Sequence, residues 1–326
     1  MKIIFIYRDK HFQEHDFKSI FSKNYCKCDF GFFLLSLKNI ADIKFCSLRD
    51  FIFKNIEEYD HVVIDSKIKI DYNENEYLPL LKSKIKTMVS IFLSYDRIFN
   101  YSDIVGFEKY LNVKSFFVPN LLKNIDEYQI TNIIKKKLFP TYYGFGFLPI
   151  KYEIKKNQFL IDQKDKKNKF SIFYSGTVDN IMPHRKVIIK FLNRLNIDKK
   201  KIINYQKNFD GNKLSSLKYI QYSIQSRINL VLSGNQNNIA YRFYEMGLFK
   251  KFFLIDHYFL NYHVSTYFDE VEEFVFFNTN DLKKKINFFL SHQDQIKRIK
   301  KKQINTFNYI LNPNSHGKEI YQFLNS

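Results

Sequence analysis

Arg227–Asp256 reads RINLVLSGNQNNIAYRFYEMGLFKKFFLID. The apolar run Ile228–Leu232 suits a buried strand, and it enters Ser233-Gly234-Asn235, small and polar residues that allow close backbone approach. The pattern predicts a helix from about Asn238 to Phe249, N-capped by Asn237 or Asn238, and a second strand at Phe252–Ile255. A strand, turn, helix and strand in so short a stretch form one parallel crossover unit. The first turn of such a helix offers unpaired N–H groups and the positive end of the dipole, which together favour a phosphate. Arg242 and Glu245 fall on one face of that helix. A guanidinium fork suits a diphosphate, and a carboxylate can accept both hydroxyls of a ribose. As an ordinary surface pair the same residues would contribute only ~0.2 to 0.5 kcal/mol, and spacing alone does not separate the two readings. Gly247 is expected to let this helix pack closely on the next strand.

Working outward, the same alternation extends in both directions. Downstream of Lys169, strands are expected at Phe170–Tyr174, Ile202–Tyr205 and Phe274–Phe277, and helices at His184–Leu195 and Leu214–Ser226. Asn280 and Asp281 are read as the cap of a Lys-rich helix, and helices at Asp294–Leu311 and His316–Leu324 end the chain. Upstream, Lys2–Tyr7, His61–Asp65, Met88–Leu93 and Ser115–Val118 read as buried strands, separated by helical stretches such as Tyr77–Lys86 and Ile104–Leu111. Between the two series, residues 151–168 are charged and nearly aperiodic. The expectation is α/β, with two Rossmann-like domains facing a cleft and C-terminal helices: residues 1–150, a linker over 151–168, and 169–326 with a helical tail.

Composition narrows the class. The 326 residues are 45% hydrophobic, and no run reaches the ~18 to 20 apolar residues of a membrane-spanning helix. The apolar start is broken by Arg8, Asp9 and Lys10, too early for a secretory signal. Cys26, Cys28 and Cys46 have neither a CxxC spacing nor a second pair, so reduced cytoplasmic thiols are expected, and no metal site is indicated. The net charge of +19 could serve nucleic acid, an anionic membrane or an acidic substrate. Basic and aromatic residues are spread along the chain and are not gathered on one element, which argues against nucleic acid. Lys, Asn, Ile, Phe and Tyr are all abundant, as A/T-biased coding would give, whereas Arg stands at few positions, several at turns and helix starts.

Arg242-Phe243-Tyr244-Glu245-Met246-Gly247 and the strand ending at Asp256 resemble the donor-site helix of bacterial group 1 and exostosin-like glycosyltransferases of the GT-B type. Phe173-Tyr174-Ser175-Gly176-Thr177 with His184-Arg185 resembles the opening of that family's C-terminal domain, and Phe276–Leu290 with the helix bearing Arg298 resembles its ending. The likeness spans about Phe170–Leu324, and it implies transfer of a sugar from a nucleotide-sugar, without metal or other cofactor. It implies that Gly176, Thr177, Asn237 and Asn238 line the donor site with Arg242 and Glu245, Glu245 holding the ribose. Arg185 or Lys186 would neutralise the diphosphate as it leaves. Retaining members commonly carry a Glu where this chain has Asn237, so the stereochemical outcome stays open. His11, His15 and Asp16, after the first strand, are the candidates for a general base.

The partners this implies are a nucleotide-sugar and a glycan or lipid-linked acceptor, as in capsule or lipopolysaccharide synthesis. The location implied is cytoplasmic, including the inner face of an anionic membrane. Alternatives are a non-catalytic GT-B-like scaffold and a basic nucleic-acid-binding protein. No GxGxxG follows the first strand, which speaks against a dinucleotide enzyme such as a sugar epimerase.

Overall fold

The computed structural model describes residues 1–7, 31–54, 58–70, 73–93, 101–119, 121–124, 131–141, 169–176, 183–195, 202–206, 216–234 and 239–326. Within these, the chain divides into two compact units. Unit 1 is Met1–Leu148 with Ile310–Ser326, and unit 2 is Pro149–Tyr309. The expected linker over 151–168 lies outside the described residues.

Unit 1 carries a six-stranded sheet: β1 (Lys2–Tyr7), β2 (Asp42–Ser47), β3 (His61–Asp65), β4 (Met88–Phe92), β5 (Val113–Pro119) and β6 (Leu138–Thr141). The order is β2-β1-β3-β4-β5-β6 and every pairing is parallel. Its helices are α1 (Gly31–Lys38), α2 (Leu48–Phe53), α3 (Glu74–Lys84), α4 (Tyr101–Tyr110) and α5 (Asn132–Lys136). β3 is buried along its whole length, as a central parallel strand must be. β2 and β6 are not predicted from sequence. β2 alternates apolar with polar residues at the sheet edge, and β6 contains Pro140, which an edge strand tolerates because its N–H side need not pair. One polar seam crosses this sheet: the His61 ring shares a hydrogen bond with Ser90 Oγ at 2.7 Å, and Ser90 with Ser115 at 2.5 Å. All three side chains are fully buried, and burial, reinforced by the charge of Lys114, lowers the His61 pKa to about 4.

Unit 2 has β7 (Phe170–Gly176), β8 (Ile202–Gln206), β9 (Ser226–Val231), β10 (Phe253–Asp256) and β11 (Val275–Phe276), again all parallel, in the order β11-β10-β9-β7-β8. Its helices are α6 (Pro183–Arg194), α7 (Ser216–Ile224), α8 (Tyr241–Phe249), α9 (Val271–Phe274), α10 (Thr279–Ser291) and α11 (Gln293–Ile310). The last helix, α12 (Pro313–Asn325), packs in unit 1. This differs from the sequence reading, which ran the second domain to residue 326. The reason is local complementarity: the His316 ring stacks on Phe32 at 5.3 Å and bonds Thr141 Oγ1 at 3.0 Å, while Gly317 lies where a Cβ would meet the Ser36 carbonyl at 2.5 Å. Such contacts between ends of the chain leave no periodic signal.

Three local expectations are corrected. The α10 cap is Asn278, whose side chain accepts from the backbone N–H groups of Asn280 and Asp281, so those two residues lie inside the first turn. α8 starts at Tyr241 behind Ala240, which makes no side-chain cap, later than the Asn237 or Asn238 start expected. Gly247 faces a helix and not a strand: a Cβ there would come within 3.0 Å of the Phe307 ring on α11.

The charge is unevenly divided. Unit 2 holds 29 Lys+Arg against 14 Asp+Glu, net +15, and unit 1 holds 23 against 19, net +4. Among the described residues no helix is long and apolar enough to cross a membrane.

Candidate active site

Both sheets start with the strand order second-first-third, so each chain path reverses direction between its first and third strands. In open parallel sheets ligands bind at the carboxyl edge beside such a reversal, because the two flanking connections leave in opposite directions and open a crevice. In unit 2 the reversal lies between β7 and β9, where β7 ends in Ser175-Gly176 and β9 runs out into Leu232-Ser233.

Three elements bring polar side chains to that edge. From α8, Arg242 Nη2 donates to Ser175 Oγ at 3.1 Å and Nε to the Tyr219 hydroxyl at 3.2 Å. Its guanidinium lies over the rings of Tyr219 and Tyr174, 5.2 and 5.8 Å from their centroids. Tyr219, on α7, donates its own proton to Glu245 Oε2 at 2.6 Å. Arg242 and Glu245, one turn apart on α8, therefore converge on one hydroxyl. Burial raises the Glu245 pKa, against the opposing pull of Arg242 and Tyr219. Gly176 explains the close approach: the place of its missing Cβ is taken by the Tyr174 hydroxyl at 2.5 Å and by Arg242 Nη1 at 3.1 Å.

Beside this group, α6 contributes Arg185, which is buried and donates through Nε to the Ser233 carbonyl at 2.7 Å and through Nη2 to that of Leu232 at 3.1 Å. These bonds hold the end of β9, so part of the Arg185 fork is committed to backbone and not aimed at a ligand. His184 also reaches the Ser233 carbonyl, at 3.2 Å. Asp256, buried at the end of β10, accepts from the Ser233 N–H at 2.7 Å and from Ser233 Oγ. Burial raises its pKa, while the two Ser233 bonds and the neighbouring His184 and His257 pull it down. The Ser233-Gly234 turn is thus pinned from two sides before any ligand arrives.

Of the residues chosen from sequence, the structure brings Gly176, Arg185, Arg242 and Glu245 to one edge. Lys186 follows Arg185 on α6 and is half-buried. Thr177, Asn237, Asn238, His11, His15 and Asp16 lie outside the described residues. Tyr219 is not found by the sequence reading, because an amphipathic helix hides it among core aromatics, and Tyr174 and Ser175 enter that reading only within the Phe173–Thr177 resemblance, with no role of their own. Asp256 carried a usable signal, a lone carboxylate ending the apolar run FFLI. Among the described residues no group of three or more His, Cys, Asp and Glu could hold a metal ion.

Comparison with known proteins fits this geometry. Residues 185–309, all within unit 2, match the family model for glycosyl transferase-like domains. No curated protein matches the chain. Among solved structures the chain is similar to Anabaena HepE in complex with UDP-glucose, at TM-score 0.56 and 9% identity over 100% of this chain and 99% of that one. It is also similar to T4 phage β-glucosyltransferase, at TM-score 0.53 and 14% identity over 100% of both chains. A structure described as the DNA-modifying enzyme β-glucosyltransferase, with and without uridine diphosphoglucose, matches at TM-score 0.54 and 14% identity, again over 100% of both. Likeness at such identities establishes the fold, which is GT-B, and the family model adds a glycosyl transferase-like domain over residues 185–309.

Proposed function

We propose that this chain moves a glycosyl group from a nucleoside-diphosphate sugar, a UDP-sugar before others, to a hydroxyl of a surface glycan such as capsule, lipopolysaccharide or another glycoconjugate. One observation carries the reading: Arg242 and Glu245 meet beside the reversal between β7 and β9, where a strand-edge ligand is expected. Arg242 would neutralise the diphosphate and Glu245 would accept from the ribose diol. The uncapped first turn of α8 and the backbone at Gly176 and Thr177 would supply N–H donors, and Asn237 and Asn238 would add polar contacts to the donor. In the reaction the acceptor oxygen bonds to the anomeric carbon as that carbon's bond to the diphosphate breaks. The electron pair leaves with the nucleoside diphosphate, and the acceptor proton passes to a base for which His11, His15 and Asp16 are the candidates. Arg185 and Lys186 would add positive potential where the leaving charge develops. The UDP-glucose named for the similar structures is the reason for putting a UDP-sugar first.

The concentration of +15 in unit 2 suits a cytoplasmic protein held to the inner face of an anionic membrane, where a lipid-linked acceptor would lie. It also supports a second reading, in which the acceptor is itself a polyanion. One structural relative is described as modifying DNA, and its fold is shared over the whole chain. Against that reading, the unit opposite in role to the donor side, unit 1, is close to neutral.

Thermal shift against UDP, GDP and CMP tests the donor site. A ligand at 100 times its dissociation constant stabilises the fold by ~2.7 kcal/mol, and UDP is expected to do so in the wild type but not in Glu245→Ala or Arg242→Ala. No response to any nucleotide, with the fold intact, favours the scaffold reading. Transfer of labelled sugar from UDP-glucose to a lipid-linked glycan, and not to duplex DNA, decides the acceptor.

A further inference from the structure

Tyr219 belongs to α7, an element outside the loop and helix that the donor-site reading uses, and it is bonded to both residues that reading depends on. Its hydroxyl has one proton and two lone pairs. The proton goes to Glu245 Oε2 at 2.6 Å, and a lone pair accepts from Arg242 Nε at 3.2 Å. The same ring lies beneath the guanidinium, 5.2 Å away. Its ring packs between two others, tilted against Phe173 at 6.0 Å and edge-on to Phe249 at 5.7 Å, which restricts its swing. A second anchor, Ser175 Oγ, takes Arg242 Nη2 at 3.1 Å.

We propose that Tyr219 is a positioning residue for the nucleoside diphosphate: it locks Arg242 and Glu245 in the geometry that receives diphosphate and ribose together. The assignment rests on the donor-site reading given above. Two long side chains that would otherwise sample many rotamers are fixed before the ligand arrives, so binding does not have to order them. Tying one carboxylate oxygen to the ring leaves the other, Oε1, to set the direction from which a diol approaches. The arrangement needs a group that donates and accepts at one atom, on a rigid support. Phenylalanine keeps the packing and removes that atom alone.

A structural role and a positioning role differ in their pH signature. Glu245 faces Tyr219 from α7 and Arg242 from its own helix, and both pull its pKa down against burial. Without the Tyr219 proton the carboxylate ionises less readily, so ligand binding that needs Glu245 charged should fail at a higher pH. The experiment is calorimetric titration of UDP and of GDP into wild type, Tyr219→Phe and Tyr222→Phe over a range of pH. Tyr222, a turn along α7, packs its ring on Phe170 and Phe173 and is the control for loosening that helix.

Tyr219→Phe is expected to weaken the nucleotide about tenfold or more at neutral pH, the usual scale for a hydrogen bond to a charged group, and to move the acid limb of binding upward. Tyr222→Phe should do neither. Unchanged affinity and an unchanged acid limb in Tyr219→Phe overturn the assignment, as does an equal loss in Tyr222→Phe. A wild type that binds neither nucleotide overturns the donor reading itself, an outcome distinct from these two.

Discussion

The two units repeat one topology and fill its reversal point with opposite chemistry. In unit 2 the edge between β7 and β9 gathers two arginines, Arg185 and Arg242, around hydroxyls and a partly screened glutamate. In unit 1 the edge between β1 and β3 ends, on its described side, in Asp65, fully buried, with Oδ1 accepting from the Lys67 N–H at 3.1 Å. The first arrangement suits an anion. The second places a carboxyl group there in place of a guanidinium. The strand order therefore says where each unit can hold something, and the side chains at that edge say what; a fold argument alone would have assigned both edges the same ligand. Two buried ionisable groups of unit 2, Asp256 and Arg185, brace the loop beside its site, whereas His61 in unit 1 is buried within the sheet.

The largest effect expected is in unit 1. The unfolded chain takes up a proton at His61 near its ordinary value of 6.5, whereas the fold resists this until about pH 4. Stability from the neutral ring is thus complete above pH 6.5 and is lost as pH falls through that window, by about 3 kcal/mol. Urea unfolding of wild type at pH 7 and pH 4.5 should show the loss, and His61→Gln should flatten it; equal slopes in both would dissociate the seam from acid stability. Next in size is the donor edge. Glu245→Ala should abolish the ~2.7 kcal/mol stabilisation by saturating UDP, whereas Asp65→Asn should leave it intact, and a loss in both variants would erase the contrast between the two edges.

Close packing gives smaller effects. Gly317→Ala drives a Cβ against the Ser36 carbonyl, a backbone atom that cannot turn aside, and should cost ~1 to 3 kcal/mol, seen as a lower midpoint in urea. Gly247→Ala meets the Phe307 ring, which can tilt, and should cost less than Gly317→Ala. If the order is reversed, α11 is the more rigid of the two partners. The smallest effect belongs to the most conspicuous charge cluster. Arg298 bridges Glu270 and Glu273, and Lys302 also reaches Glu270, all at the surface, so Arg298→Ala should leave the melting temperature unchanged at physiological salt.

Reading the sequence alone recovers most strands because buried parallel strands are continuous apolar runs. His61–Asp65 is found with the bounds the structure gives, and Lys2–Tyr7 likewise. It also places Arg242 and Glu245 on one helix face, since a helix repeats its faces every three to four residues. It misses β2 and β6 because edge strands need not be apolar on both faces, and it misplaces the start of α8 because two asparagines are better caps on paper than Ala240.

What the sequence determined by itself is the alternation of strands and helices, the two series they form, and the short segment in which an arginine and a glutamate share a face. Each of these depends on residues near one another in the chain. What only the tertiary structure decided is that Tyr219 joins that pair from another helix, that Asp256 and Arg185 brace Ser233 from two elements, and that α12 returns to unit 1. Those contacts join residues far apart in sequence, and local periodicity carries no record of which distant side chain will complete a hydrogen bond.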